Sequence, residues 1–100
     1  MKKGRIKYEF NATVWKYEGQ NGWYFVSLPT DISGEIRKNL KSEEKGWGML
    51  KAIACIGSTE WQSAVWFDTK LKTHLLPVKA EIRKKENIQA GDKVKIIIWL

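Results

Sequence analysis

Few side chains in this 100-residue chain could carry covalent or acid–base chemistry. There is one histidine, His74, beside Leu75 and Leu76, and one cysteine, Cys55, within Ala-Ile-Ala-Cys-Ile-Gly. A general base needs a hydrogen-bonded partner that orients it, and nothing adjacent in the sequence supplies one. His74 therefore reads as a structural or surface histidine. Cys55 reads as a small packed thiol with no activating neighbour. A single thiol precludes an internal disulfide and a cysteine-based metal site, and it favours a reducing, cytoplasmic setting. The carboxylates are scattered from Glu9 to Asp92 without metal-ligand spacing, and no Gly-rich phosphate cradle occurs. The chain is expected to be no enzyme and to hold neither metal nor cofactor.

Two other chemistries remain, cationic and aromatic. Eighteen Lys and Arg against eleven Asp and Glu give a net charge of +7. Such a surface attracts polyanions, although the same charge also serves solubility. The tetrapeptide Glu-Ile-Arg-Lys occurs twice, at 35–38 and 81–84, each time after a Leu-Pro pair (Leu28-Pro29 and Leu76-Pro77). Its ends, Arg37, Lys38, Arg83 and Lys84, are candidate polyanion contacts able to meet phosphates. The competing reading is that they complement helix dipoles on a solvated face. Six tryptophans are the other oddity. Trp15, Tyr17 and Tyr24 gather at the first predicted hairpin turn. With Trp47, in Lys-Gly-Trp-Gly, they are candidate aromatic contacts. They form either an open platform or a face covered by a helix, and Trp47 either buries itself on a partner or tucks onto the fold. Trp23, Phe25, Trp61 and Phe67 alternate as core residues should.

The elements that would position these residues follow from periodicity. Ile6, Tyr8, Phe10, Ala12 and Val14 alternate with polar residues, which predicts a half-buried strand. The turn formers of Glu18–Gly22 and the run "WYFVSLP" complete a hairpin over residues 5–28. After Pro29, Thr30 or Asp31 is placed to cap a short helix with the stripe Ile32, Ile36, Leu40, which Gly34 weakens. "KSEEKGWGML" reads as a mobile connector. "LKAIACIG" and "TEWQSAVWF" are two strands joined at Gly57-Ser58, the first apolar on both faces. "THLLP" is a short strand stopped by Pro77. Val78 and Ile82 begin a second helix that stops near Asn87. Gly91 suits a tight turn before the closing strand "KVKIIIWL".

"LLPVKAEIRKKENIQAGDKVKII" resembles the swapped-hairpin module of the AbrB/MazE regulators and antitoxins. That pattern runs strand, Ile-Pro, short helix ending in Arg-Lys, Gly-Ile and then Gly-Asp before a last strand. The chain departs from it at Glu86-Asn87, where the family usually has Leu-Gly. Nearly the whole chain is similar to a bacterial and archaeal family known as a domain of unknown function. The residues that carry this likeness are Phe10 and Ala12, "GWYFVSLP", Ile56-Gly57 with Trp61, "LPVKAEIRK" and "GDKV". Some members of that family precede a YdeI/OmpD-associated domain. The resemblance implies a double-split β-barrel and assigns no activity. The AbrB likeness implies DNA-contacting roles for Arg83 and Lys84, with Arg37 and Lys38 as internal counterparts.

The expected fold is mainly β with two short helices: a small double-split β-barrel with internal pseudo-two-fold symmetry. It is one domain over 1–100, built from halves of about 5–50 and 51–100. Two halves in one chain would complete the barrel in a monomer, leaving any homodimer to another surface. The longest apolar stretch, Ile96–Leu100, is too short for a membrane span, and no apolar run follows the basic start as in a signal peptide. The expected function is a non-enzymatic cytoplasmic binding domain for a ligand or protein partner. The alternative is AbrB-like nucleic-acid binding through the basic helix ends.

Overall fold

Alternation governs the N-terminal segment. Phe10 and Val14 are buried while Lys7, Glu9, Asn11 and Thr13 are exposed, as period two requires. In the computed structural model, which describes residues 3–4, 6–19, 22–44 and 48–100, this run forms β1 (Lys7–Thr13) and, past Val14, β2 (Trp15–Lys16). β3 (Tyr24–Ser27), α1 (Thr30–Leu40), β4 (Met49–Ile56), β5 (Thr59–Asp68), β6 (Thr73–Pro77), α2 (Ala80–Glu86) and β7 (Lys93–Trp99) follow. A 3-10 turn at Lys41–Glu43 leaves α1. Of the connector expected to be mobile, residues 45–47 lie outside the described residues and Met49 and Leu50 already open β4.

The strands form one antiparallel sheet in the order β1-β7-β4-β5-β6-β3-β2. It curls into a half-barrel. The expected closed barrel is thereby corrected, and the reason lies at Val14. Its N–H donates to Asp92 O at 2.8 Å, and Gly91 N–H donates to Val14 O at 2.7 Å. The turn before β7 thus holds Val14, and the chain changes partner there. Before Val14 it pairs with β7; after it, with β3. The two edge strands are successive stretches of one chain run, yet no ladder joins them among the described residues.

The concave face and both helices enclose the core. Val26, Ile36, Val65, Leu76, Ile96 and Ile98 are fully buried, each stabilising by roughly 1.5–3 kcal/mol relative to exposure. β4 is buried at Ala52, Ile53 and Ala54 in succession, as its two-sided apolar pattern predicted. The helix starts differ from expectation. Pro29 occupies the cap position before α1 and offers no side-chain bond, while Asp31, already inside the first turn, accepts the N–H of Ile32 at 2.9 Å through Oδ1. Val78 precedes α2 and stays extended, its N–H donating to Tyr24 O at 2.9 Å. The stripe of α1 is also shifted: Ser33 and Ile36 are its buried residues, while Ile32 and Leu40 are half-buried.

At the end of α2 Asn87 takes the left-handed conformation, with φ 54°. Its N–H donates to Lys84 O, and the N–H of Ile88 to Arg83 O. Asn tolerates this region better than most residues. The departure from Leu-Gly therefore preserves the backbone shape that a glycine would give.

Candidate functional site

The Arg-Lys ends of the two Glu-Ile-Arg-Lys copies lie in the last turns of α1 and α2, and their arginines are engaged within the fold. The Arg37 guanidinium lies 4.0 Å from the Phe67 ring centroid in β5 and pairs with Glu44 at 3.6 Å. The Arg83 guanidinium lies 3.6 Å from the Tyr24 ring centroid in β3, and its Nε donates to Val78 O at 3.2 Å. Cations over ring faces are held by the ring quadrupole, so both arginines brace a helix against the sheet. Lys38 and Lys84 are exposed.

His74 is fully buried in β6, under α1. Its Nδ1 lies 2.6 Å from Ser33 Oγ, and its backbone N–H donates to the same oxygen at 3.0 Å. The ring packs edge-on against Phe67 with centroids 5.3 Å apart, and Nε2 has no partner among the described residues. Burial holds the imidazole below its ordinary pKa; Glu44 opposes the shift and Arg37 adds to it. A serine and a histidine this close invite a nucleophilic reading, but both lie in the interior, where the pair ties α1 to β6. Burial, then the charge of Glu60, pushes the Cys55 thiol up, opposite to a reactive cysteine. No cluster of three or more metal-capable side chains forms among the described residues.

Among the described residues, the exposed large apolar side chains gather at an aromatic surface. Partners across an antiparallel ladder share a face. Trp15 pairs with Phe25, and Tyr17 N–H donates to Trp23 O at 2.7 Å, so all four rings line the outer face of the β2–β3 hairpin. Trp23 stacks on Phe25 at 5.8 Å with planes 20° apart; Trp15 lies 5.2 Å and Tyr17 6.4 Å from the same Phe25. Trp15 Nε1 donates to Ser27 Oγ at 3.0 Å, fixing its indole. Leu75 in β6, Asp68 at the end of β5, and Lys70 and Leu71 in the turn that follows complete an open groove of about 500 Å³. The exposed large apolar side chains among the described residues are Tyr17 (52 %), Trp23 (46 %) and Leu71 (50 %), and all three line this groove.

Of the predicted aromatic contacts, Trp15 and Tyr17 are in the groove. Tyr24 is not: it faces the other way, beneath Arg83. Trp47 lies outside the described residues. Trp23 and Phe25, expected in the core, take the places assigned to Tyr24. The signal was available in Ser27, the polar residue of the β3 run, which shares its face with Phe25 and Trp23. Trp61 is buried as expected and Phe67 is half-buried. Leu71 could not be found from local pattern, because its turn reaches the hairpin only through the β6–β3 pairing.

The sequence model of one family, a domain of unknown function (DUF1905), matches residues 10–98. No curated protein matches the chain. Among the described residues no helix is long and apolar enough to cross a membrane.

Proposed function

This chain belongs to the DUF1905 family, a domain of unknown function, and we propose that it is a non-enzymatic binding domain whose site is the aromatic groove of the β2–β3 hairpin. The carrying observation is the convergence of Tyr17, Trp23 and Leu71 on one concave surface. Contiguous exposed apolar surface marks interaction sites, and rings already fixed by stacking and by the Trp15–Ser27 bond lose little freedom when a ligand arrives. The absence of catalysis belongs to the same proposal. It is supported by the burial of the Ser33–His74 pair and the upward shift of Cys55.

The test is native mass spectrometry of the protein as isolated from its source. Bound species should be lost in Trp23→Ala and retained in Lys38→Ala. Equal retention in both would sink the proposal.

Polyanion binding by the helix ends is a second reading, favoured by the exposure of Lys38 and Lys84 and disfavoured by the engagement of Arg37 and Arg83. The AbrB likeness and an internal two-fold are further proposals. Their support is local: both Leu-Pro pairs lie at the β3–β6 pairing, where Val26 faces Leu76 and Leu28 N–H donates to His74 O. A cytoplasmic setting rests on the single free thiol.

A further inference from the structure

We infer that the groove takes single-stranded nucleic acid, with unpaired bases stacked on the hairpin rings and phosphates met at its rims. The inference rests on the binding role proposed above and supplies the ligand class. Trp15, Phe25, Tyr17 and Trp23 form two cross-strand pairs on one sheet face. Aromatic residues on adjacent strands are how sheet-based domains stack successive unpaired bases. Trp23, nearly half exposed and parallel to Phe25 within 20°, extends an existing stack outward.

Charge selects a polyanion over a neutral ligand. Lys70 lines the groove. Trp23 also borders a second cleft, of about 270 Å³, lined by Tyr24, Lys79 and Arg83. A strand crossing Trp23 therefore runs from Lys70 to Lys79, both exposed, while Arg83 stays engaged with Tyr24 and Val78. Asp68 also lines the groove and keeps its negative charge, with Oδ1 accepting the N–H groups of Lys70 and Leu71 at 2.9 and 2.8 Å, so the phosphates are assigned to the lysine rims and the bases to the rings. A net charge of +7 adds long-range attraction and opposes a second copy of the chain on the same patch. A duplex is disfavoured because paired, stacked bases offer no free face. RNA and DNA share the required chemistry of unpaired base and phosphate.

The test is fluorescence anisotropy with labelled oligouridylate, oligothymidylate and a duplex of equal length, in salt from about 50 to about 200 mM. The inference expects one or both single strands to bind more tightly than the duplex, the stronger arm identifying the source. Trp23→Ala should raise Kd roughly 5- to 150-fold, equivalent to the ~1–3 kcal/mol of one stacked base. Lys70→Ala should flatten the log–log salt slope by about 0.7; because Lys70 is exposed, this variant keeps the test decisive should Trp23→Ala lose its fold. No binding, equal duplex binding, or indifference to both substitutions would overturn the inference. A proline-rich peptide and a soluble neutral oligosaccharide serve as parallel probes. Trp23-dependent binding of either, without oligonucleotide binding, overturns the nucleic-acid assignment and leaves the groove as a binding site. Should Trp23→Ala alter neither these titrations nor the native mass spectrum, both ideas fall. Self-association through the groove in sedimentation also overturns the assignment.

Discussion

Ser33→Ala removes one oxygen that serves two groups of His74. The hydroxyl lies 2.6 Å from Nδ1 and accepts the backbone N–H at 3.0 Å. Both groups are in the interior, where an unsatisfied polar group costs about 1–3 kcal/mol. With Nε2 lacking a partner among the described residues, the imidazole would be left with no hydrogen bond to them, and the expected loss is roughly 2–4 kcal/mol. A domain of this size has only about 5–15 kcal/mol of stability, and Tm should fall on the order of 10–30 °C. Urea unfolding measures the free energy directly. A cycle with His74→Leu isolates the side-chain part, because the N–H of residue 74 still reaches Ser33 when the imidazole is gone. The coupling between the two substitutions should be about 1–3 kcal/mol. A Ser33→Ala variant within about 0.5 kcal/mol of the parent, or a cycle that closes at zero, would refute the assignment of Ser33–His74 as the tie between α1 and β6.

The same histidine makes stability fall in mild acid. Its pKa is depressed in the folded state, so the unfolded chain binds the proton first. Stability should be full above the unfolded value of about 6.5 and fall below it by up to ~1.4 kcal/mol per pH unit until the folded value is reached; His74→Leu should remove this part of the slope in denaturant titrations. Gly34→Ala should stabilise by about 0.5–1 kcal/mol, since a Cβ there meets open space on an exposed turn of α1, and a higher urea midpoint would show it. Asn87→Ala should cost about 1 kcal/mol at φ 54° while Asn87→Gly should not, a contrast read by thermal unfolding. Arg83→Ala should cost roughly 1–2 kcal/mol through the lost Tyr24 face and Val78 bond. Lys84→Ala, exposed beside it, should change the unfolding free energy by less than about 0.5 kcal/mol.

Local pattern carried the strands, the two helices and the turns at Gly57 and Gly91, because burial on one side of a pleat writes itself into every second residue; the expected turn at Asn21-Gly22 lies partly outside the described residues. It failed where both faces were apolar. In Trp-Tyr-Phe-Val the alternation has no polar partner to set its phase, and Ser27 was the sole local marker of the outer face. Long-range contacts were invisible for a different reason. Ser33 and His74 are 41 residues apart, and the rings beneath Arg37 and Arg83 lie on strands distant in the chain. The Glu-Ile-Arg-Lys repeat shows the limit well. Its spacing pointed to two cationic clusters, but whether an arginine meets solvent or a ring depends on what the sheet places under it.

Val14 has a consequence for the groove that is best put as parity. It is the one residue between the stretch paired with β7 and the stretch paired with β3. Side chains alternate strictly along an extended run, so counting through Val14 decides which rings look outward. A single inserted residue there would send Trp15 and Tyr17 toward the core and bring Lys16 to the groove. Inserting two would restore the faces and slip the pairing instead. The groove is thus counted from the far edge of the sheet, and a frame error at one buried valine would erase it without touching a residue that lines it.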